Sequence, residues 1–68
     1  MDKDLVKRTD GKYEEKLGDI WIAEYAEDPA TGLWEVQIFK HGGREWHGAG
    51  YATLEESQRA AHELYAQS

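Results

Sequence analysis

The sequence predicts an α+β domain: a three-stranded antiparallel β-meander with one C-terminal α-helix packed on one face (βββα). Three observations predict it. Leu33 to Lys40 alternates with period two, Trp34, Val36 and Ile38 pointing one way and Leu33, Glu35, Gln37 and Phe39 the other. That is the pattern of a half-buried strand built from aromatic and β-branched residues. Turn signals flank it, Glu27-Asp28-Pro29-Ala30-Thr31-Gly32 before and His41-Gly42-Gly43 after. Downstream, Thr53-Leu54-Glu55-Glu56 has the form of a capping box, a threonine followed three residues later by a glutamate.

Residues 1–18 are the least regular part. Thr9-Asp10-Gly11-Lys12 is a turn signal. Tyr13 and Leu17 stand four apart, a spacing that suits a helical turn, a short extra strand or a loose arm alike. The segment is therefore expected as an N-terminal arm or extra short element beside an acidic βββα domain over residues 19–68. Asp19 to Ala26 reads as the first firm strand, with Ile20, Trp21, Ile22 and Tyr25 favouring extended backbone. Pro29 fixes the following turn, having no N–H to give to a ladder. After the Leu33–Lys40 strand, His41-Gly42-Gly43 suits a three-residue hairpin loop with Gly43 left-handed. Arg44 to Ala52 is the third strand, thinned by Gly48 and Gly50. The helix follows, with Leu54, Ala61, Leu64 and Tyr65 on one stripe at helical spacing.

Register follows from requiring apolar residues to share a face. That requirement pairs Tyr25 with Trp34, Ala23 with Val36 and Trp21 with Ile38, then Ile38 with Trp46, Val36 with Gly48 and Trp34 with Gly50. The helix stripe is assigned to this face, where Ala23, Gly48 and Gly50 leave it room. The opposite face then holds Ile20, Ile22, Glu24, Leu33, Glu35, Gln37, Phe39, Glu45, His47, Ala49 and Tyr51. In this register Glu24 and Glu35 sit directly opposite each other, and like charges so placed destabilise a sheet.

Charge is divided unevenly. Residues 1–18 hold five acids and five bases, so residues 19–68 carry the whole net charge of −6. An acidic field repels nucleic acid and anionic membrane and favours a basic partner. The chain has no cysteine, which excludes a disulfide framework and a thiolate metal site and fits a reducing, cytoplasmic setting. No apolar run approaches the roughly 20 residues of a membrane span. The start, Met-Asp-Lys-Asp, lacks the apolar core of a signal peptide.

Catalytic and metal chemistry find little footing. His41, His47 and His62 lack a metal-ligand spacing. Glu24 and Glu35 could share a proton only in a cleft, which an open sheet face does not supply. Neither Gly42-Gly43 nor Gly48-x-Gly50 leads directly into a helix that could cradle phosphate. No enzyme activity, cofactor or metal is expected.

The run Gly48-x-Gly50-Tyr51-Ala52-Thr53-Leu54-Glu55-Glu56, leading into an Ala-rich helix, resembles the three-strand-plus-helix layout of small phage-type proteins over roughly residues 19–68. Two groups share that layout. AP2-like and integrase arm-binding domains read DNA with Arg and Lys on the strands, where this chain has Glu24, Glu35 and Glu45. In size, charge and simple fold the chain resembles the phage anti-CRISPR proteins, several of which are similar to a nucleic-acid surface in charge. That resemblance implies an inhibitor acting as a DNA mimic in the host cell cytoplasm, on a partner such as a CRISPR effector.

The expected function is thus a non-catalytic interaction protein, monomer or homodimer, that binds a basic nucleic-acid-binding protein and neither nucleic acid nor membrane directly. Glu24, Glu35, Glu27 and Asp28 would carry the contact, with Asp19 and Glu45 as outer contributors. One alternative is a homodimer built on an apolar outer patch of Ile20, Ile22, Phe39 and Tyr51. Another is a nucleic-acid-binding module using an arm of Lys3, Lys7, Arg8, Lys12 and Lys16.

Overall fold

The computed structural model describes residues 4–67. They form one antiparallel meander of five strands in sequence order, followed by one helix. The strands are β1 (Leu5–Lys7), β2 (Tyr13–Leu17), β3 (Trp21–Glu27), β4 (Trp34–Lys40) and β5 (Gly43–Tyr51), and the helix is α1 (Leu54–Gln67). The α+β class and the C-terminal helix stand as expected, but the sheet has five strands where three were expected. The two additional strands come from residues 1–18. Their turn lies at the Thr9-Asp10-Gly11 signal: Arg8 N–H donates to the Lys12 carbonyl at 2.7 Å, and Gly11 adopts φ +89°. Tyr13, Glu15 and Leu17 then face inward with period two, and this decides between the helical and extended readings of that spacing.

The β3–β4 register differs from expectation by two residues. Ala23 pairs with Ile38, Tyr25 with Val36 and Trp21 with Lys40. The connecting loop closes one residue later at each end than the turn signal implied. Asp28 N–H donates to the Leu33 carbonyl (2.8 Å), Gly32 N–H to the Asp28 carbonyl (2.7 Å) and Ala30 N–H to Asp28 Oδ1 (2.9 Å). A shift of two keeps every side chain on its face but changes its partner across the ladder.

The β4–β5 hairpin turns on two residues. His41 (φ 54°) and Gly42 (φ 82°) are both left-handed, the signature of a type I′ turn, and Gly43 already pairs with Lys40. The expected left-handed residue at Gly43 is therefore corrected to His41 and Gly42. A tighter turn would put the apolar residues of β5 out of step. A bulge between Ile38 and Phe39 restores them: Phe39 pairs with Arg44 and Ile38 with Trp46, leaving Glu45 as the extra residue. A second irregularity, at Gly50 (φ 87°), sets Tyr51 opposite Trp34. Tyr51 thus packs on the helix-side core instead of lying on the outer face.

Leu17, Ala23, Tyr25, Val36, Ile38 and Ala61 form the buried core, with Trp21, Trp34 and Trp46 packed around it. Helix α1 lies over β3, β4 and β5. Its start is capped as expected. Glu56 N–H donates to Thr53 Oγ1 (3.1 Å), and the Glu56 carboxylate accepts from Ala52 N–H (3.1 Å). Thr53→Ala should cost about 1 kcal/mol in urea unfolding, the usual worth of such a cap. Unchanged stability would mean that packing alone starts the helix.

Candidate interaction surfaces

The sheet has one covered and one open face. On the open face no described element lies over Glu14, Lys16, Ile22, Glu24, Ala26, Glu35, Gln37, Phe39, Arg44, His47 and Ala49. Ile22 and Phe39 are paired directly across the ladder, one pair in from the end beside the β2–β3 and β4–β5 turns, with Lys16 and Arg44 as their outer neighbours. Val6, Ile20 and Leu33 are exposed at 58%, 46% and 41%, unusually bare for large apolar residues.

Glu24 does not sit opposite Glu35. Its cross-strand neighbours are Glu14 on β2 and Gln37 on β4, while Glu35 faces Ala26 and Ala49. The like-charged pair on this face is therefore Glu14 and Glu24, and Arg8 resolves it. The Arg8 guanidinium hydrogen-bonds Glu24, bonds Asp10 at 2.7 Å and reaches Glu14 at 3.8 Å, while Lys12 Nζ lies 3.9 Å from Glu24. The bond to Glu24 holds the Arg8 pKa above its ordinary value. The Lys12 backbone N–H, donating to Asp10, holds that carboxyl below its ordinary value. Glu24, with its side chain 17% exposed, is the anchor of a network that fastens the β1–β2 turn onto β3.

The other sequence-derived residues fall into two groups at opposite ends of the strands. Glu27, Asp28 and Glu35 lie towards the β3–β4 loop, and Asp19 and Glu45 towards the β2–β3 and β4–β5 turns. Glu35 has a basic neighbour, His47 Nε2 at 3.5 Å. Among the described residues no base lies within ion-pair distance of Asp19, Glu27, Asp28 or Glu45. Glu45 also borders a groove of about 340 Å³ between the end of α1 and the sheet, walled by Trp21, Ile38, Trp46 and Leu64.

Charge separates by face. Arg8, Lys12, Lys16 and Arg44 balance Asp10, Glu14, Glu24 and Glu35 on and around the open face. The acidic excess therefore lies elsewhere: on the strand ends and their loops and on α1, where Glu55, Glu56 and Glu63 accompany a single base, Arg59. Lys3 of the basic N-terminal set lies outside the described residues; Arg8 and Lys12 are engaged by the acids named above, which leaves Lys7 and Lys16.

A polar cluster that the sequence did not disclose lies under the helix. Glu15 has its side chain only 3% exposed, and its Oε1 accepts from the Tyr25 hydroxyl (2.7 Å). His62 Nε2 stands 2.9 Å from the same oxygen and the Gln58 amide 3.5 Å. With Glu15 ionised the carboxylate only accepts, and the imidazole then donates to it from Nε2. The signal was present in Tyr13-Glu14-Glu15-Lys16-Leu17: once this is a strand, Glu15 shares the face of its apolar neighbours. The pair joins helix to sheet. Ser57, the buried hydroxyl of the same helix, donates to the Leu54 carbonyl at 2.6 Å.

Among the described residues no group of three or more His, Cys, Asp or Glu could hold a metal ion. None of their helices is long and apolar enough to cross a membrane. Comparison with family models, with characterised proteins and with solved structures finds no match to this chain.

Proposed function

We propose that this chain is a non-catalytic, acidic interaction protein of the anti-CRISPR kind. It occupies the nucleic-acid-binding surface of a basic partner and keeps nucleic acid out, in the cytoplasm of the cell where that partner works. One observation carries the reading: the −6 excess is concentrated on strand ends, their loops and the helix, on carboxylates without ion-pair partners among the described residues. Unpaired surface carboxylates are what a cationic groove attracts, over distances set by the Debye length. The contact set differs from the one the sequence implied. Glu24 is spent on Arg8 and Lys12, and Glu35 lies beside His47. Glu27, Asp28, Asp19 and Glu45 remain, joined by Glu55 and Glu63 of α1.

Capture from nuclease-treated lysate, followed by elution with duplex DNA or RNA, tests this. The expected result is a nucleic-acid-binding protein that nucleic acid displaces and that binds more weakly as salt rises. Glu27→Lys/Glu63→Lys should reduce capture about tenfold, since two reversals change the charge by four and replace attraction with repulsion. Captured proteins that nucleic acid does not displace, or equal capture by the variant, would reject the reading.

A further inference from the structure

The open face has the composition of a surface that meets a copy of itself. We propose that two chains associate through this face as an isologous dimer, with the Ile22–Phe39 pairs in contact across it and the acidic helices on the outside.

The argument starts from charge. A chain with net charge −6 repels its copy over most of its surface. The open face is the exception. Around it four bases (Arg8, Lys12, Lys16, Arg44) balance four acids (Asp10, Glu14, Glu24, Glu35), so two such faces approach without net repulsion. An isologous contact also requires one patch to complement itself, which a patch holding both signs does and an acidic patch does not. A basic partner, by contrast, would find this face the least attractive part of the molecule. Charge complementarity thus assigns the open face to a second copy and the acidic surface to the proposed partner.

Apolar content points the same way. Ile22 and Phe39 are adjacent and half-buried in the single chain, and Val6, Ile20 and Leu33 are exposed at the margins. The pair is bracketed across the ladder by Lys16 and Arg44, an apolar contact with a polar rim. Its size sets the strength. Strands β2 to β5, about 4.8 Å apart and about seven residues long, span roughly 19 by 23 Å. An area of that order is at the small end of specific interfaces, so a micromolar, concentration-dependent dimer is expected.

Sedimentation velocity on the full chain from about 1 μM to about 1 mM tests the proposal. The expected result is a monomer–dimer equilibrium whose Kd rises about tenfold or more in Phe39→Glu, which replaces the apolar contact of each face with a carboxylate. Arg44→Glu should weaken the dimer as well, by upsetting the charge balance. Because both side chains lie on the open sheet surface, thermal melts should show both variants folded. Arg59→Glu on the helix serves as the control and should leave the Kd unchanged. A monomer throughout the range overturns the proposal. So does a dimer that Phe39→Glu and Arg44→Glu leave intact, because its contact would lie elsewhere. The outcome is independent of partner capture, which uses Glu27 and Glu63 on other surfaces.

Discussion

Glu15→Ala should lower the stability of the fold by about 3 kcal/mol, the sum of lost charge-assisted hydrogen bonds and an unfilled space beneath the helix. The carboxylate is nearly inaccessible, and it takes the Tyr25 hydroxyl from the sheet and His62 and Gln58 from the helix on one oxygen. Truncation removes this shared acceptor. His62 is 45% exposed and recovers much of its loss by turning to water, whereas the Tyr25 ring is fully buried. A 68-residue domain has a total of about 5 kcal/mol to lose. The variant should therefore be largely unfolded in modest urea, as read by the fluorescence of its three tryptophans. Glu15→Gln keeps an oxygen for Tyr25 and should lose only about 1 kcal/mol. If His62→Ala and Glu15→Ala were additive in a double-mutant cycle, the contact between them would carry no energy. A loss below about 1 kcal/mol in Glu15→Ala would mean that water replaces the carboxylate at no cost.

Why this cluster stayed hidden in the sequence is a question of periodicity. Tyr13 and Leu17 are separated by four residues, which places them on one face of a helix and also on one face of a strand. Only the pairing of Tyr13 with Tyr25 and Leu17 with Trp21 separates the two. The later strands were easier to see because each runs for seven or more residues between turn signals. The helix announced itself through Thr53 and Glu56, whose side chains make the expected capping bonds. Faces were legible and partners were not. A two-residue shift in register leaves Ile22, Glu24 and Phe39 on the open face yet replaces Glu35 by Gln37 opposite Glu24. The juxtaposition of Glu24 and Glu35 rested on register, so it fell with it. The excess of acids in residues 19–68 rested on composition, and it stands.

Gly48→Val should cost about 3 kcal/mol, for a reason unlike the one the sequence offered. Gly48 and Gly50 both read as clearance for the helix. In the fold they serve different ends. Gly50 has a left-handed backbone (φ 87°) with open space where a side chain would go. Replacing it with alanine costs conformational strain of about 1 kcal/mol and nothing in packing. Gly48 has no such backbone demand, but its missing side chain is the space that two rings fill. A Cβ there would collide with the edge of the Trp46 indole and stand 2.7 Å from the Tyr51 hydroxyl oxygen. Both rings pack against the core that Val36, directly opposite Gly48, helps to form. Overpacking of this kind costs 1–3 kcal/mol for an added methylene or two, and valine brings three carbons. Alanine should lie between, at about 1–2 kcal/mol, because its better strand propensity offsets part of the clash. Trimming the obstructing ring supplies the decisive comparison. In Gly48→Ala/Trp46→Leu the loss should be smaller than the sum of the two single losses by about 1 kcal/mol, since the new methyl enters the space the indole leaves. Strict additivity, or a neutral Gly48→Ala, would show that Trp46 and Tyr51 swing aside freely, and the rings would then lose their place as the wall of the core beside β5.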